Sequence, residues 1–300
     1  MNIRGVLIED TFAEGFGMAA ARVVITATNL KWARIAAMKL TGFATSVIAC
    51  KCEAAIEREL GPDETPDARP GIAVLVFAIG AENLNRRLVE RIGQTVLTCP
   101  TTSCFDGLPE APDRVPAGRA LRAFGDKFQI SKVVGGQRYW RVPVMEGEFL
   151  LQESFGVQKR AVGGGNFLIL GEDAPSALAA AEAAVAAMDG MPGIILPFPG
   201  GVARSGSKVG SRGYKSMIAS TNDAYCPTLR LTTDSALPEG VNSALEIVID
   251  GLDTHAISRA MRAGIDAACC PGVRAIAAGN YGGNLGTFHF HLRQIMEGVS

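Results

Sequence analysis

The chain has 300 residues, of which 48% are hydrophobic and 20% are charged, and its formal net charge is −1. Nucleic-acid-binding proteins are usually basic, so this balance argues against that class. The N-terminal segment already contains acids at Glu9 and Asp10, which does not fit a secretory signal peptide. The most apolar helical run is short and contains Glu182, so we expect a packed helix in a cytoplasmic protein.

Hydrophobic periodicity predicts the same order of elements twice along the chain: strand, helix, strand, strand, helix, strand. The strands predicted in the first half lie near 22–28, 45–50, 71–79 and 101–105, and its helices near 30–41 and 82–98. The strands predicted in the second half lie near 166–171, 193–197, 243–250 and 273–278, and its helices near 174–188 and 253–269. Asp173 and Asp253 are placed as N-caps of those two helices. The segment "GTFHFHL" predicts a fifth strand that extends the last sheet.

The two halves also resemble each other in residue identity. "IEDTF" at 8–12 recurs as "LQESF" at 151–155, an offset of 143, and residues 80–100 match 251–271 without a gap at an offset of 171. Matches of this kind indicate an internal duplication. The repeated element order is that of the split β-α-β, or ferredoxin-like, unit. We therefore predict an α+β fold made of two ferredoxin-like lobes in tandem, covering 1–146 and 147–300.

The two offsets differ by 28 residues, which places an insertion in the second half, within a loop at about 197–240. Long loops inside compact domains are usually functional or disordered. This loop is rich in aromatic, cationic and amide side chains, so the functional interpretation is favoured.

The stretch "SALEIVIDGL" places an acid inside an otherwise apolar strand. Side chains alternate between the two faces of a strand, so Leu245, Ile247 and Ile249 share the face that the helices cover. Glu246 then points to the opposite face of the sheet. Its counterpart at the offset of 171 is Leu75, so an acid stands in one half where the other half has an apolar residue.

Two interpretations of Glu246 remain open at this point. It could lie on a solvated face or pair with Arg259 or Arg262. It could also be a partly buried catalytic acid, because burial disfavours the carboxylate and raises its pKa. A shift of about two to three units would leave much of it protonated near neutral pH, and such a group can donate a hydrogen bond or relay a proton.

"GGVARSGSKVG" at 200–210 resembles a phosphate-binding loop, but Lys208 stands one position too late for that motif. We therefore reject an NTPase. The cations of this region could still hold an anionic ligand tail, although a solvated, flexible insert explains them equally simply. These cations are Arg204, Lys208, Arg212 and Lys215.

"STNDAYCP" at 220–227 and "AGNYGGNLG" at 278–286 are dense in hydroxyl, amide and glycine groups. Turn chemistry accounts for much of this composition, while glycine also allows the backbone to approach a ligand closely. The candidate substrate-binding residues in the two segments are Ser220, Thr221, Asn222, Asp223, Tyr225, Asn280 and Tyr281. No Ser-His-Asp or Cys-His arrangement accompanies them, so direct transfer between two bound substrates fits better than nucleophilic catalysis.

The cysteines and histidines give little support for a metal. The seven cysteines are odd in number and form no C-x-x-C pair, which indicates free thiols and argues against structural zinc. His289 and His291 share a strand face, a spacing that can ligate a metal. The third histidine, His255, begins a predicted helix, and no carboxylate motif accompanies the pair. We predict no metal site, with a metal hydrolase as the alternative.

Several long blocks, in colinear order from about residue 3 to residue 292, resemble one known family. They include "IEDTFAEGF", "GFATSVIACKCEAAIE", "DETPDARPG", "RIGQTVLTCPTTSCFDGLPEA", "GEFLLQESFG", "PFPGG", "SKVGS", "ASTNDAYCPT", "LPEGV" and "AGNYGGNLG". The chain resembles the formylmethanofuran–tetrahydromethanopterin N-formyltransferases. That resemblance implies two ferredoxin-like lobes, a homotetramer, and transfer of a formyl group between N5 of tetrahydromethanopterin and the primary amine of methanofuran. It implies neither metal nor covalent intermediate.

The same resemblance places the catalytic glutamate of the family in the strand after "LPEGV", at Glu246. The near-neutral charge is similar to that of methylotrophic bacterial members, which use a methanofuran-like carrier and work with hydrolase subunits in a formyltransferase/hydrolase complex. Both carriers have anionic tails, which Lys208 and Arg212 could bind. A non-catalytic scaffold that binds a pterin or a hydrolase partner is the remaining alternative.

Overall fold

The computed structural model describes residues 1–298, so the last two residues of the predicted second lobe lie outside the described residues. The strands are β1 Asn2–Ile3, β2 Val6–Ile8, β3 Phe12–Thr26, β4 Glu53–Leu60, β5 Gly71–Ala78, β6 Ser103–Asp106, β7 Asp113–Val115, β8 Ile130–Val134, β9 Gln137–Val144, β10 Gly147–Gln152, β11 Phe155–Gly171, β12 Ile194–Ile195, β13 Ser207–Val209, β14 Ala219–Thr221, β15 Ser243–Gly251, β16 Val273–Ala277 and β17 Phe288–His291. The helices are α1 Leu30–Thr41, α2 Val47–Cys50, α3 Ala81–Arg91, α4 Ala117–Leu121, α5 Ala174–Met188, α6 Thr254–Ala268 and α7 Leu292–Glu297. The fold class is α+β, as predicted.

The chain divides into two compact units, and it passes between them inside the long strands β3 and β11 and again on either side of Gly190–Pro197. We call one the distal unit; it comprises Gly17–Ala161 and Gly190–Pro197. The other, the acid-bearing unit, comprises Met1–Phe16, Val162–Asp189 and the described chain from Phe198 onward. In each unit helices pack against a largely antiparallel arrangement of strands.

In the distal unit the strands lie in the order β4–β5–β3–β6, with antiparallel neighbours. Helix α1 connects β3 to β4, and α3 connects β5 to β6. Their apolar faces and the strands form a large core of aliphatic side chains that includes Leu40, Val74 and Leu88. β10 lies parallel to β6, and the antiparallel β9 and β8 continue the sheet from there. These last three strands were not predicted.

The predicted strand at 45–50 is wrong, because those residues end in the helical turn α2. The Ser46 side chain caps this turn by accepting a hydrogen bond from the N–H of Ile48 at 3.3 Å. Lys51 then adopts a left-handed φ of 65°, which ends the turn, and the strand follows at Glu53–Leu60. The short apolar run "SVIAC" fits either structure by periodicity, and its cap decides between them.

The predicted helix at 82–98 forms, but it changes character along its length. It is α-helical from Ala81 to Arg91 and widens into a π-helical turn at Ile92–Val96. Leu84, Leu88 and Ile92 are fully buried, so the predicted apolar stripe does face the core.

In the acid-bearing unit the strands lie in the order β16–β11–β15, again with antiparallel neighbours, and β2 runs parallel to β16. The two predicted N-caps are confirmed: Asp173 accepts from the N–H of Ser176 at 2.8 Å, and Asp253 from that of Ala256 at 2.7 Å. The predicted strand "GTFHFHL" forms as β17. It pairs with Phe12–Gly15 rather than with β15 or β16, so its expected place in the sheet is wrong.

The segment from Phe198 to Val241 contains few regular elements. β13 and β14 form a short hairpin, and single 3-10 turns follow at Asp223–Tyr225 and Pro227–Leu229. The Arg230 guanidinium closes the segment by donating to the carbonyls of Leu237, Pro238 and Val241. We call this segment the insert.

None of the helices between residues 1 and 298 combines the length and the hydrophobicity needed to span a bilayer. All seven cysteines are free thiols.

Candidate functional site

Strand β15 places Glu246 on the sheet face that the helices do not cover. Glu246 pairs with Leu168 of β11, so the two side chains share one face, and Ile247 pairs with Phe167 on the other. Phe167 lies beneath α6. Its ring is so close to Gly264 of that helix that a Cβ added to the glycine would lie 3.0 Å from it. The predicted orientation of the acid, away from the helices, therefore agrees with the sheet register.

Strand pairing gives Glu246 a different counterpart in the distal unit from the one that the sequence offset gave. The terminal pairs of the two sheets are Thr26–Gly71 and Gly171–Ser243. Counting three residues inward from each pair puts Val74, rather than Leu75, at the position of Glu246. Val74 is fully buried, so an apolar residue still stands where the acid-bearing unit has a carboxylate.

The surroundings of Glu246 on this face are apolar. Its row of the sheet continues through Leu168 to Ala277, both of which are buried. Insert residues Leu237 and Val241 pack on this face, and the Tyr225 ring lies against them. The insert thus covers a patch of sheet that would otherwise face water.

Burial raises the pKa of Glu246 from its ordinary value of 4.5 to about 7. Within residues 1–298 its carboxyl oxygens accept no hydrogen bond and form no ion pair, so nothing offsets the loss of hydration. Of the two interpretations, the arginine pair does not form within residues 1–298, and the side chain is half-buried rather than fully solvated. The side chain can hold a proton near neutral pH, which is what acid–base chemistry requires.

The insert is joined to β15 at its start and carries an ion pair further along. The N–H of Ala203 donates to the Glu246 carbonyl, which joins the start of the insert to β15. Further along, Lys208 of β13 contacts the Asp223 carboxylate, and Arg212 approaches the same group at 3.6 Å. Lys208 lowers the pKa of Asp223 through its hydrogen bond and its charge. The ammonium of Lys208 is therefore already paired, and Arg212 is the more exposed cation.

The glycine-rich segment 278–286 forms a loop that reaches the insert. The Tyr281 hydroxyl donates to the carbonyl of Ser207 at 2.8 Å. Burial raises the pKa of Tyr281, and the charge of Glu246 contributes to the same shift. The phenol therefore lies within electrostatic reach of the acid. Asn280 is used differently, because its amide donates to Thr11 and Phe12 and so fixes the loop to the N-terminal strand.

Glu14 holds this loop and was not predicted. Its carboxylate accepts the backbone N–H groups of four loop residues, at 2.6 to 3.0 Å; they are Tyr281, Gly283, Leu285 and Gly286. Burial alone would raise the pKa of Glu14, but these four donors outweigh it and hold the pKa below its ordinary value. A glycine-rich loop signals exposed N–H groups, but no local pattern links it to a carboxylate 267 positions or more away.

The predicted site residues fall into two groups. Those of the insert come together around the β13–β14 hairpin, where Lys208 pairs with Ser220 and Ser207 with Thr221. Asn222 begins the turn that carries Asp223 and the half-buried Tyr225. Tyr281 reaches this group through its hydroxyl. Asn280 has its side chain committed to Thr11 and the start of β3, so it does not join them.

The three histidines line a separate cleft of about 570 Å³ in the same unit. His289 and His291 both contact the Phe12 ring, with centroids 4.9 and 5.2 Å apart, and His255 lies in the first turn of α6. Between residues 1 and 298 no three side chains of the types His, Cys, Asp and Glu are grouped to hold a metal ion.

These features define the class as an α+β protein with a titratable carboxyl on an apolar sheet face, beside an insert and a glycine-rich loop. Comparison with known families is specific. The family model described as formylmethanofuran-tetrahydromethanopterin formyltransferase matches residues 1–144, and its companion for the proximal lobe matches residues 147–295. The chain belongs to this family of formyltransferases.

Relatives of nearly the same length support the assignment. The chain is 61% identical to a formylmethanofuran–tetrahydromethanopterin formyltransferase of Methylococcus capsulatus, over 99% of this chain and 100% of the relative. It is 51% identical to one subunit of the formyltransferase/hydrolase complex of Methylorubrum extorquens, over 98% of this chain and 97% of the relative. A crystal structure of that organism's complex, with methylofuran, contains a polypeptide that matches at a TM-score of 0.95 and 50% identity, covering 99% of this chain and 98% of that one.

Proposed function

We propose that the chain transfers a formyl group, reversibly, between N5 of tetrahydromethanopterin and the primary amine of methanofuran or a methanofuran-like carrier. Membership of the family supports the reaction, and the Methylorubrum extorquens structure contains methylofuran. The observation that carries the mechanism is the Glu246 carboxyl, which is half-buried on an apolar face and has a pKa raised to about 7.

The chemistry requires one net proton movement. The carrier amine attacks the formyl carbon, a C–N bond forms and the carbonyl oxygen becomes an oxyanion. The bond from the formyl carbon to N5 then breaks, N5 gains a proton and the former amine loses one. Neutral Glu246 gives its proton to N5 and takes one from the attacking nitrogen, so it returns to its starting state. A pKa near the operating pH is the best compromise for both transfers.

Glu246 can also donate a hydrogen bond to the oxyanion. A preorganised donor in a site that excludes water lowers such a barrier by roughly 3 kcal/mol. Holding both carriers in register supplies much of the rest. The hydroxyl and amide groups of Ser220, Thr221 and Asn222 are proposed to contact a carrier. The proposed binding set also includes six further residues: Lys208, Arg212, Asp223, Tyr225, Asn280 and Tyr281.

Glutamine at position 246 separates the two roles, because it can donate a hydrogen bond but cannot relay a proton. In an assay of formyl transfer with both carriers, we expect Glu246→Gln to lower kcat by about 10²-fold or more. Glu297→Gln, the same change at an exposed position, is the control. A loss of less than about threefold would remove Glu246 from the chemistry, since acid–base roles are worth about 10²-fold. Binding without turnover in the unaltered chain would favour the scaffold alternative.

The finer fold and assembly also belong to this proposal. We infer two ferredoxin-like lobes, 1–146 and 147–300, with the insertion at about 197–240. The strand order β4–β5–β3–β6, with crossover helices α1 and α3, supports the first of these lobes. We propose a cytoplasmic enzyme that works either as a homotetramer or together with hydrolase subunits. The second assembly is the one that the name of the Methylorubrum extorquens relative states for that protein. The mass of the native particle, alone and after co-expression with hydrolase subunits, distinguishes the two assemblies.

A further inference from the structure

Glu14 is a buried charge with an unusual set of partners. Its side chain is almost fully covered, and within residues 1–298 no cation pairs with it. Four backbone N–H groups compensate the charge instead. A carboxylate has about four acceptor positions, so each oxygen of Glu14 is saturated by two donors from one loop.

Side-chain amides also hold the loop, since Asn166 accepts from the N–H of Gly279 and Asn280 accepts from the N–H of Gly282. Glu14 takes the larger share, because it accepts four of the loop's N–H groups. Gly282 and Gly283 adopt left-handed φ values of 68° and 78°, and the turn they form directs the N–H of Gly283 to the carboxylate, while the N–H of Gly282 donates to the Asn280 side chain. Consecutive N–H groups in such a conformation form a concave anion site. A Cβ on Gly286 would clash with the carbonyl oxygen of Gly15, so the loop lies directly on β3. The Glu14 side chain fills the site that the loop creates.

The pinned loop carries Tyr281 to the functional site. The same residue that donates its N–H to Glu14 donates its hydroxyl to Ser207, which precedes Lys208 of the Lys208–Asp223 pair. Its phenol lies within electrostatic reach of Glu246. A continuous set of hydrogen bonds therefore runs from Glu14 through Tyr281 to the hairpin of the insert.

We propose that Glu14 is a positioning residue for formyl transfer, which holds loop 279–286 in its substrate-ready form before a carrier binds. This inference rests on the proposed function, since it assigns the loop to the carrier-binding wall. Without the carboxylate, binding would have to order the loop, and the apparent affinity would fall in proportion to the fraction of molecules already ordered. Chemistry in the saturated complex would change much less.

Glu14→Gln tests this. A glutamine keeps the shape but presents an NH₂ group to two of the four donors, so we expect backbone hydrogen exchange in 279–286 to accelerate by about 10-fold or more, in line with the loss of charged hydrogen bonds. KM for at least one carrier should rise by a similar factor, with kcat within about threefold. Asp10→Asn, which removes an exposed carboxylate from the same segment, should leave exchange and KM unchanged.

The outcomes are distinguishable. Unchanged exchange in the loop, or a fall in kcat with KM constant, would overturn the positioning role, because a general loss of folded enzyme lowers only the active fraction. If Glu14→Gln fails to fold, Tyr281→Phe is the second variant, because it keeps the hydrogen bonds to Glu14 and removes the hydroxyl that donates to Ser207. An unchanged KM for Tyr281→Phe would also overturn the positioning role. Hydrogen exchange needs no turnover, so the clamp is testable even if Glu246→Gln remains fully active and the proposed mechanism fails.

Discussion

Glu246 and Ala203 exchange two backbone hydrogen bonds, with the N–H of Ala203 donating to the Glu246 carbonyl at 2.8 Å and the N–H of Glu246 donating back at 2.9 Å. On its other edge the same residue pairs with Leu168. The backbone that carries the acid is therefore fixed on both sides, and the start of the insert is attached at the position where the chemistry is proposed.

Ala203→Pro is expected to lower kcat/KM by about 10-fold or more, because proline has no N–H to donate and its ring crowds the neighbouring backbone. Steady-state kinetics of the folded variant measure this. Ser205→Pro is the matched control, since the N–H of Ser205 donates no hydrogen bond within the described chain. Equal activity of the two variants would show that the bridge to Glu246 is dispensable.

The raised pKa of Glu246 predicts how stability changes with pH. The folded pKa of about 7 exceeds the ordinary 4.5, so the native state binds the proton more tightly than the unfolded chain. Stability from the neutral carboxyl is complete below about pH 4.5 and is lost as pH rises from there through about 7. Glu246→Gln should remove this loss, which amounts to as much as about 3 kcal/mol.

Urea unfolding of both proteins at pH 5 and pH 8 checks this. The free energy of unfolding of Glu246→Gln, relative to the unaltered chain, should be higher at pH 8 than at pH 5. The same difference at both pH values would mean that Glu246 titrates as it does in water.

The Lys208–Asp223 pair should affect carrier binding by fixing β13 against the turn that follows β14. Asp223→Asn removes the partner of Lys208, so we expect KM for the carriers to rise by roughly 10-fold, since a misplacement of 1 Å can cost about 10²-fold. Arg212→Met, which leaves the pair intact, tests the alternative that an exposed cation holds an anionic tail. In that case KM for Arg212→Met rises, and the affinity of the unaltered enzyme weakens with salt.

A buried ion pair in the distal unit should matter for stability rather than for chemistry. Arg22 donates twice to the Glu57 carboxylate, at 2.6 Å each, and the N–H of Gly193 donates to it at 2.7 Å. The Glu57 side chain is 1% exposed. Glu57→Gln should lower the free energy of unfolding by about 3 kcal/mol, because it leaves a buried charge without its partner.

Glu59→Gln on the same strand is the control for that measurement. Its side chain is 47% exposed and pairs with Arg34, so the expected loss is below about 1 kcal/mol. Similar losses for the two substitutions in denaturant unfolding would contradict the assignment of Glu57 as a buried structural acid.

Local signals predicted a large part of the fold. The helix at 30–41, the capping aspartates Asp173 and Asp253, and the strand that carries Glu246 are all set by neighbours within a few positions. The strand at 45–50 was mispredicted because a single Ser46 cap outweighs a short apolar run. Strand β8 was missed because all five of its residues are exposed. Strand β9 was missed because Val142 is its one buried residue, so it also lacks the pattern of a buried strand.

By itself the sequence determined which face of its strand Glu246 occupies and which segments are rich enough in glycine and amides to surround a ligand, since side-chain alternation and turn chemistry are local properties. Only the tertiary structure decided the charge states of the two acids. The pKa of Glu14 is held below its ordinary value because four N–H donors from the far end of the chain converge on it. The pKa of Glu246 is raised to about 7 because the fold removes part of its hydration and the described chain supplies no donor to its carboxyl. Solvation and hydrogen bonding depend on residues distant in sequence, so no local pattern encodes them.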